Sequence, residues 1–331
     1  MAYETQRSAR GEPVRILLVT PAPRGSTRGN RVTAVRWARI LRQLGHRVAV
    51  QEEYDGAACD VLIALHARRS FDSAARFRKR HPQLPLIVAL TGTDLYQDLH
   101  NSLQARRSLE WATRLVVLQP LGVRQLPEHL RSRARVIHQS AQLPAGARRV
   151  RPKRDVFEVC VLGHLRPVKD PFRTAKAAHL LPETSRVQVL QIGAALSEEM
   201  TGQAKIEEKR NPRYKWLGER PRWQAFRCLR RSRLLVLTSK LEGGANVISE
   251  ALAASVPVVS SFIPGSIGIL GEDYPGYFPV GDAPALAALL HRAEMDREFY
   301  AELKARCRRL APLVAPAREI RSWKALIAEL Q

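Results

Sequence analysis

Cysteine is scarce in this chain, and Cys59, Cys160, Cys228 and Cys307 stand far apart without a C-x2-C pair. That spacing argues against a zinc site and a disulfide framework and leaves reduced thiols, as in a cytoplasmic protein. No apolar run reaches the ~20 residues needed to span a bilayer, and the opening MAYETQRSARGEP has no apolar signal core. The expectation is a cytoplasmic protein with no stable membrane insertion. Aromatic residues make up only 6%, which leaves few platforms for stacking bases, and no nucleic-acid recognition motif is present. No D-x-D sequence occurs, so a metal held by carboxylates is not expected. Acidic residues are also few, 31 against 54 lysines and arginines, a net charge of +23. Such a chain attracts anions of any kind. Arginine far outnumbers lysine and is spread over many helices, which a compositional habit of the source genome explains as well as a polyanion groove does.

What is present is a hydrophobic content of 45% over 331 residues, enough for two domains with separate cores. After a polar tail (1–12), the run VRILLVT (14–20) reads as a buried parallel strand, followed by the turn-rich loop PAPRGSTRGN. Apolar spacing from Asn30 to Leu44 predicts a helix that Gly45 stops. HRVAV, DVLIALH, PLIVALTGTD, LVVLQ and RVIHQS follow as strands, with a basic helix over Phe71–His81. Ala141–Arg154 has the Pro, Gly and Arg content of a linker. A second series begins at Asp155, with strands VFEVCVLG, RVQVLQIG, YKWLG, RLLVLTS and VPVVSS. Helices are predicted around 174–181, 198–209, 223–231 and 247–254, then at 285–295, 297–310 and 317–330. Buried strands alternating with helices imply an α/β protein built of two doubly wound, Rossmann-like domains. The boundaries expected are 13–145 for the first domain, 146–316 for the second and 317–331 for a closing helix.

The most informative segment is EGGANVISEALAASVPVVSS, 242–261. Gly243 and Gly244 allow a sharp turn and close approach to a ligand. Asn246 has the chemistry of an N-cap, and the helix after it presents amides suited to a phosphate. Glu242 sits before the helix and Glu250 on its second turn. An ionised glutamate can accept from two vicinal hydroxyls, as in a ribose or a sugar ring. Glutamates this far apart are also common on solvated surfaces. The apolar strands on either side tip the balance, because they place Glu242 at the carboxyl end of a parallel strand, where open α/β sheets bind ligands.

The segment resembles the E-x7-E signature of the retaining glycosyltransferases of family 4, which have the GT-B fold, two Rossmann-like domains facing across a cleft. The resemblance covers nearly the whole chain. It implies that Glu250 holds the ribose of a nucleotide sugar and that Glu242 lies beside the donor sugar. It also implies a basic pair that clamps the diphosphate after a strand-end glycine. VCVLGHLRPVKD supplies Lys169 at the family lysine and His164 where the arginine usually stands, with Arg166 two residues on, so His164 and Arg166 both remain candidates. Gly193 and Gly218, ending two strands, would line the base through main-chain groups, although isolated glycines there are often ordinary turns. Cationic side chains and a helix N-terminus, rather than a metal, would then stabilise the leaving diphosphate. The last helix would return to the first domain.

In the first domain, Gly25, Gly29, Asn30 and Arg31 form a glycine loop after the first strand. It resembles the family's acceptor-side loop. A dinucleotide site is the other reading, but the spacing is not G-x-G-x-x-G. His66 and the loop Thr91, Gly92, Thr93 and Asp94 end strands on the same edge. His66 is either a structural partner of the backbone or a substitute for the family histidine that is missing near Thr91. NRVTAVRWARILRQLGHRV, LIALHARRS and LTGTDLY are similar to a smaller group within family 4, the selenosugar synthases of selenoneine formation. That likeness implies UDP-N-acetylglucosamine as donor substrate and selenophosphate as acceptor, with no cofactor. It adds the selenophosphate-producing enzyme as a candidate partner. Arg24, Arg28, Arg31 and Arg68 are the cations on first-domain loops. The rivals are a family 4 enzyme with a glycan or lipid acceptor at a membrane face, and a basic nucleic-acid-binding protein.

Overall fold

The structure is a computed structural model that describes residues 12–143 and 155–330. The expected polar tail, all but its last residue, and most of the expected linker, with the boundary at 145/146, lie outside the described residues. The chain divides into two compact units, one running to Ile137 and resuming at Glu319, the other His138–Arg318.

The first unit is built on a six-stranded parallel sheet. Its strands are β1 (Arg15–Val19), β2 (Arg47–Gln51), β3 (Val61–Leu65), β4 (Leu86–Leu90), β5 (Arg114–Val117) and β6 (Ala134–Val136), in the order β2-β1-β3-β4-β5-β6. VLIAL and LIVAL, the sequences of β3 and β4, are buried at every position, as expected for parallel strands covered on both faces. Alternation along each strand still separates two cores. Ile16, Leu18, Ile63 and Ala89 pack with Trp37 and Leu41 of α1 (Gly29–Gln43), whereas Leu17, Val19, Leu62 and Val88 pack with Phe77 of α2 (Phe71–Arg80).

Two stretches differ from the sequence expectation. A π-helical turn (Asp94–Asp98), α3 (Leu99–Asn101) and α4 (Leu103–Trp111) fill a region for which no element was predicted, with Ser102 capping α4 at the amide of Ala105. RVIHQS contributes only its first residues to a strand, because the chain leaves the sheet after Val136 and passes into the second unit at His138. A short helix, α5 (Leu121–Arg124), follows β5.

The second unit repeats the plan with β7 (Phe157–Leu162), β8 (Val187–Ile192), β9 (Tyr214–Trp216), β10 (Leu234–Leu237), β11 (Val258–Ser261) and β12 (Tyr277–Phe278). The strand order is β12-β11-β10-β7-β8-β9, all parallel. Its helices are α6 (Arg173–His179), α7 (Glu198–Arg210), α8 (Arg222–Arg231), α9 (Asn246–Ala254), α10 (Pro264–Leu270), α11 (Ala283–Met295) and α12 (Arg297–Leu310). Neither α10 nor β12 was expected. The glycines of PGSIGIL disguise a helix that Pro264 starts at its first turn, where a missing amide hydrogen costs nothing.

The final helix, α13 (Pro316–Ala328), belongs to the first unit from Glu319 onward. Trp323 meets Trp37 edge-on, with ring centroids 4.8 Å apart. Glu319, 1% exposed, accepts from Trp37 Nε1 at 2.8 Å and from Arg36 Nε at 3.3 Å. A buried carboxylate with a cation and an indole donor is satisfied at low dielectric, so the pairing fixes which face of α13 lies on α1.

Candidate functional site

In both units the strand order reverses beside the first strand, between β1 and β3 and between β7 and β10. At such a reversal the flanking loops splay apart at the carboxyl ends and leave a crevice. Of the predicted site residues of the second unit, His164, Arg166 and Lys169 follow β7 and Glu242, Gly243 and Gly244 follow β10, on those loops, whereas Asn246 and Glu250 lie on α9 and Gly193 and Gly218 follow β8 and β9.

Past β10, Thr238 donates to the carbonyls of Lys169 and Asp170 at 2.9 Å each, and the amide of Lys240 donates to Val168 at 2.9 Å. These bonds pin the 3-10 turn Pro167–Lys169 that follows β7. Pinning brings Lys169 Nζ onto Glu242 Oε1. Ser239 Oγ donates to the same oxygen at 2.7 Å. Ser261 of β11 donates to the carbonyl of Ser239 at 2.6 Å, so the ends of three adjacent strands hold one carboxylate. A Cβ at Gly265 would lie 2.1 Å from the Glu242 carbonyl oxygen. Only glycine lets α10 come this close to the Glu242 main chain. Ser239, Ser261 and Gly265 were not singled out from sequence. The two serines follow apolar strands as Glu242 does, which was the available signal, whereas Gly265 serves a contact between segments far apart in the chain.

The glycine pair bends the chain into α9, but the helix opens one residue earlier than expected. Asn246 is its first residue and Ala245 holds the cap position, so Asn246 is not the N-cap. Glu250, on the second turn and 19% exposed, faces Arg222 of α8 at 3.5 Å.

His164, Gly193 and Gly218 are gathered at the ends of β7, β8 and β9. The Gly193 amide donates to Gly218 at 2.9 Å, and its carbonyl accepts Trp216 Nε1 at 2.9 Å. A Cβ on Gly193 would fall 2.0 Å from the Gly163 carbonyl oxygen. Glycine is therefore demanded by the packing of adjacent loops, and its main-chain groups are engaged within the protein rather than presented to a base. His164 Nδ1 accepts the Ala194 amide at 3.2 Å, which leaves the ring proton on Nε2, a donor. Arg166 is exposed and makes the turn through its carbonyl, which accepts the Lys169 amide at 2.9 Å.

In the first unit His66 is 3% exposed, with φ 75. Nδ1 accepts the Arg69 amide at 3.3 Å and Nε2 donates to Thr93 Oγ1 at 3.2 Å. Burial lowers the pKa of this imidazole, with Asp94 and Asp98 opposing the shift. The ring thus holds two loops together, the structural one of the two readings. Asp94 is fully buried, and its oxygens accept the amides of Ala67, Thr91 and Gly92 at 3.0, 3.1 and 2.8 Å. In this arrangement it shapes the loop from within and does not face a ligand, which corrects its expected place as an acceptor contact.

Gly29, Asn30 and Arg31 open α1. Thr20 Oγ1, Ser26 Oγ, Arg31 Nη1 and Thr91 Oγ1 are buried without a hydrogen-bond partner. Thr20 follows Leu18 by two positions and Thr91 follows Ala89 by two, and both of those residues pack beneath α1. Unpartnered polar atoms inside a protein are costly, by about 1–3 kcal/mol each, and these four lie just past β1, just past β4 and on the loop and first turn that lead into α1. Among the described residues no group of three His, Cys, Asp or Glu side chains converges as metal ligands, and no helix is long and apolar enough to cross a membrane. The four cysteines are free thiols.

Ser239→Ala is expected to lower turnover about tenfold while leaving the fold intact, since one charge-assisted hydrogen bond that orients Glu242 is lost. Steady-state kinetics beside a thermal melt measures it. An unchanged kcat would show that Lys169 alone orients the carboxylate.

Residues 147–310 match the family described as glycosyl transferases group 1. Solved structures share the fold, two of them over almost the whole chain. HepE from Anabaena in complex with UDP and glucose is 16% identical with a TM-score of 0.73, over 96% of this chain and 98% of that one. Sucrose-phosphate synthase from Thermosynechococcus elongatus is 14% identical at TM-score 0.75, over 96% and 99%. A TarM mutant from S. aureus in complex with fondaparinux, alpha-GlcNAc-glycerol and UDP is 16% identical at TM-score 0.63, over 80% and 55%. The two doubly wound units are those of the GT-B fold.

Proposed function

We propose that this chain, which carries a group 1 glycosyltransferase domain over residues 147–310, transfers N-acetylglucosamine from UDP-N-acetylglucosamine to selenophosphate without a metal. The observation that carries the donor half is the Lys169–Glu242–Ser239 constellation at the strand-order reversal of that domain. Complexes of HepE with UDP and UDP-glucose, and of TarM with UDP and alpha-GlcNAc-glycerol, support a UDP-sugar. In this reading Glu250 accepts from the ribose hydroxyls. Glu242 borders the sugar, and Lys169 faces the diphosphate with the Nε2–H of His164 or with Arg166. Gly243 and Gly244 give the sugar room.

The acceptor half draws support from the unpartnered donors Thr20 Oγ1, Arg31 Nη1 and Thr91 Oγ1, beside the amides that open α1 at Gly29 and Asn30. Two hydroxyls, a guanidinium and a helix N-terminus suit a small oxyanion. Selenium in selenophosphate is already a nucleophile, so no general base is required. It attacks the anomeric carbon, a carbon–selenium bond forms, and the bond from that carbon to the UDP oxygen breaks, its electron pair leaving with UDP. Positioning and electrostatics supply the acceleration.

Purified protein mixed with UDP-N-acetylglucosamine and freshly generated selenophosphate is expected to release UDP and yield a selenium-bearing sugar seen by mass spectrometry. UDP release only with a glycan or lipid, and no selenium incorporated, would overturn the acceptor assignment. The enzyme would work in the cytoplasm.

A further inference from the structure

Arg186, Arg233 and Arg297 come from three separate stretches of the chain and line one cavity of about 220 Å³ in the second unit, together with Glu294, Phe157 and Tyr300. Phe157 is the first residue of β7, Arg186 and Arg233 immediately precede β8 and β10, and Arg297 opens α12. The cavity therefore lies at the amino edge of the sheet. The residues assigned above to the donor occupy the carboxyl edge, roughly 20 Å away along a six-residue strand.

Among the described residues of the lining, three arginines against one glutamate give a formal charge of +2. That glutamate is already committed. The Glu294 side chain is fully buried and accepts from the Arg186 amide at 2.8 Å, Arg186 Nε at 3.2 Å and Ser185 Oγ at 2.7 Å, which also fixes where Arg186 can reach. The neighbouring Asp296 caps α12 by accepting the amides of Glu298 and Phe299 at 3.0 and 2.9 Å, and it bridges Arg292 at 3.3 Å. Tyr300 donates to the Arg233 carbonyl at 3.0 Å and meets Phe157 edge-on at 6.0 Å, which makes a rigid aromatic wall behind that segment. Arg297 adds its charge at the positive end of a 14-residue helix. Planar guanidiniums held on a rigid frame match the geometry of phosphate oxygens better than a diffuse basic surface does.

We propose that this cavity is a second anion site of the domain, separate from the donor site, and that it takes a phosphate-type oxyanion carrying at least two negative charges. Its position excludes direct competition with a nucleotide sugar, so both ligands are held at once.

The test is calorimetric titration of inorganic pyrophosphate into the full chain saturated with UDP, at constant ionic strength. The expected result is one site, weakened about tenfold in Arg297→Gln and in Arg233→Gln. Arg39→Gln, which removes the same charge from an exposed position on α1, should leave it unchanged. No binding, binding indifferent to the two cavity substitutions, or equal weakening by Arg39→Gln would each overturn the proposal, the last by showing that net charge alone attracts the anion. Should Arg233→Gln fail to fold, Arg297→Gln at an exposed helix start still decides it. The readout is binding, so it stands or falls separately from the transfer reaction.

Discussion

Replacing Glu250 with alanine is expected to weaken UDP binding by about 30- to 700-fold, the equivalent of roughly 2–4 kcal/mol for two charge-assisted hydrogen bonds to a ribose diol. The fold should survive. Glu250 sits on the second turn of α9 and is partly exposed, and its ion pair with Arg222 spans 3.5 Å to a guanidinium that is itself 54% exposed. Pairs of that kind contribute at most about 1 kcal/mol. The apolar face of α9 is carried by Ile248, Ala251 and Leu252, which the substitution leaves alone. Affinity and stability are therefore expected to separate, with a large change in the Kd for UDP and a small change in Tm. Arg222 supplies an internal control, because Arg222→Ala removes the pair from its other side and should cost far less affinity. Calorimetry that finds unchanged UDP affinity in a folded Glu250→Ala protein would remove Glu250 from the site.

The parts of the fold that could be read from the sequence are those where a local pattern and the tertiary outcome have the same cause. VLIAL and LIVAL read as buried parallel strands because a sheet covered on both faces needs unbroken apolar runs, and β3 and β4 are buried at every position. Gly45 was legible as a stop because a positive φ, here 96, is what the end of α1 requires. Legibility failed where the cause lies far away in the chain. Nothing in PGSIGIL reveals that Gly265 must let the Glu242 carbonyl approach, and nothing near Gly193 reveals that its missing side chain makes way for Gly163. Asp94 shows the opposite failure. A ligand-type loop, T-G-T-D, points to ligand contacts, yet the three amides that its carboxylate accepts lie in its own loop and at Ala67, and satisfying them takes the side chain out of solvent. Polar residues at strand ends serve either the loop or the ligand, and sequence alone does not divide them. Thr20 and Thr91 end up unpartnered where Asp94 ends up saturated.

Lys169→Met is expected to reduce kcat by about 10²- to 10³-fold, the loss associated with removing one fixed group that stabilises charge developing in a transition state. Methionine keeps an apolar stem of similar length, so the change falls on the ammonium. Its position is fixed before any ligand arrives, since Thr238 and Lys240 pin the turn that carries it and Glu242 holds its charge. A cation held in this way need not reorganise as negative charge accumulates on the departing diphosphate, which is why its effect should fall more on kcat than on the KM for donor. The same pairing makes the residues interdependent. Without Lys169, Glu242 keeps only the Ser239 hydroxyl among the partners described above, so the double variant Lys169→Met/Glu242→Gln should be much less impaired than the product of the single effects. Metal dependence separates this account from its alternative. The wild-type reaction should continue in EDTA, and magnesium should not restore Lys169→Met. Recovery of the variant with magnesium would mean that a divalent cation, and not the lysine, can carry the leaving diphosphate, and the role assigned to Lys169 would fall.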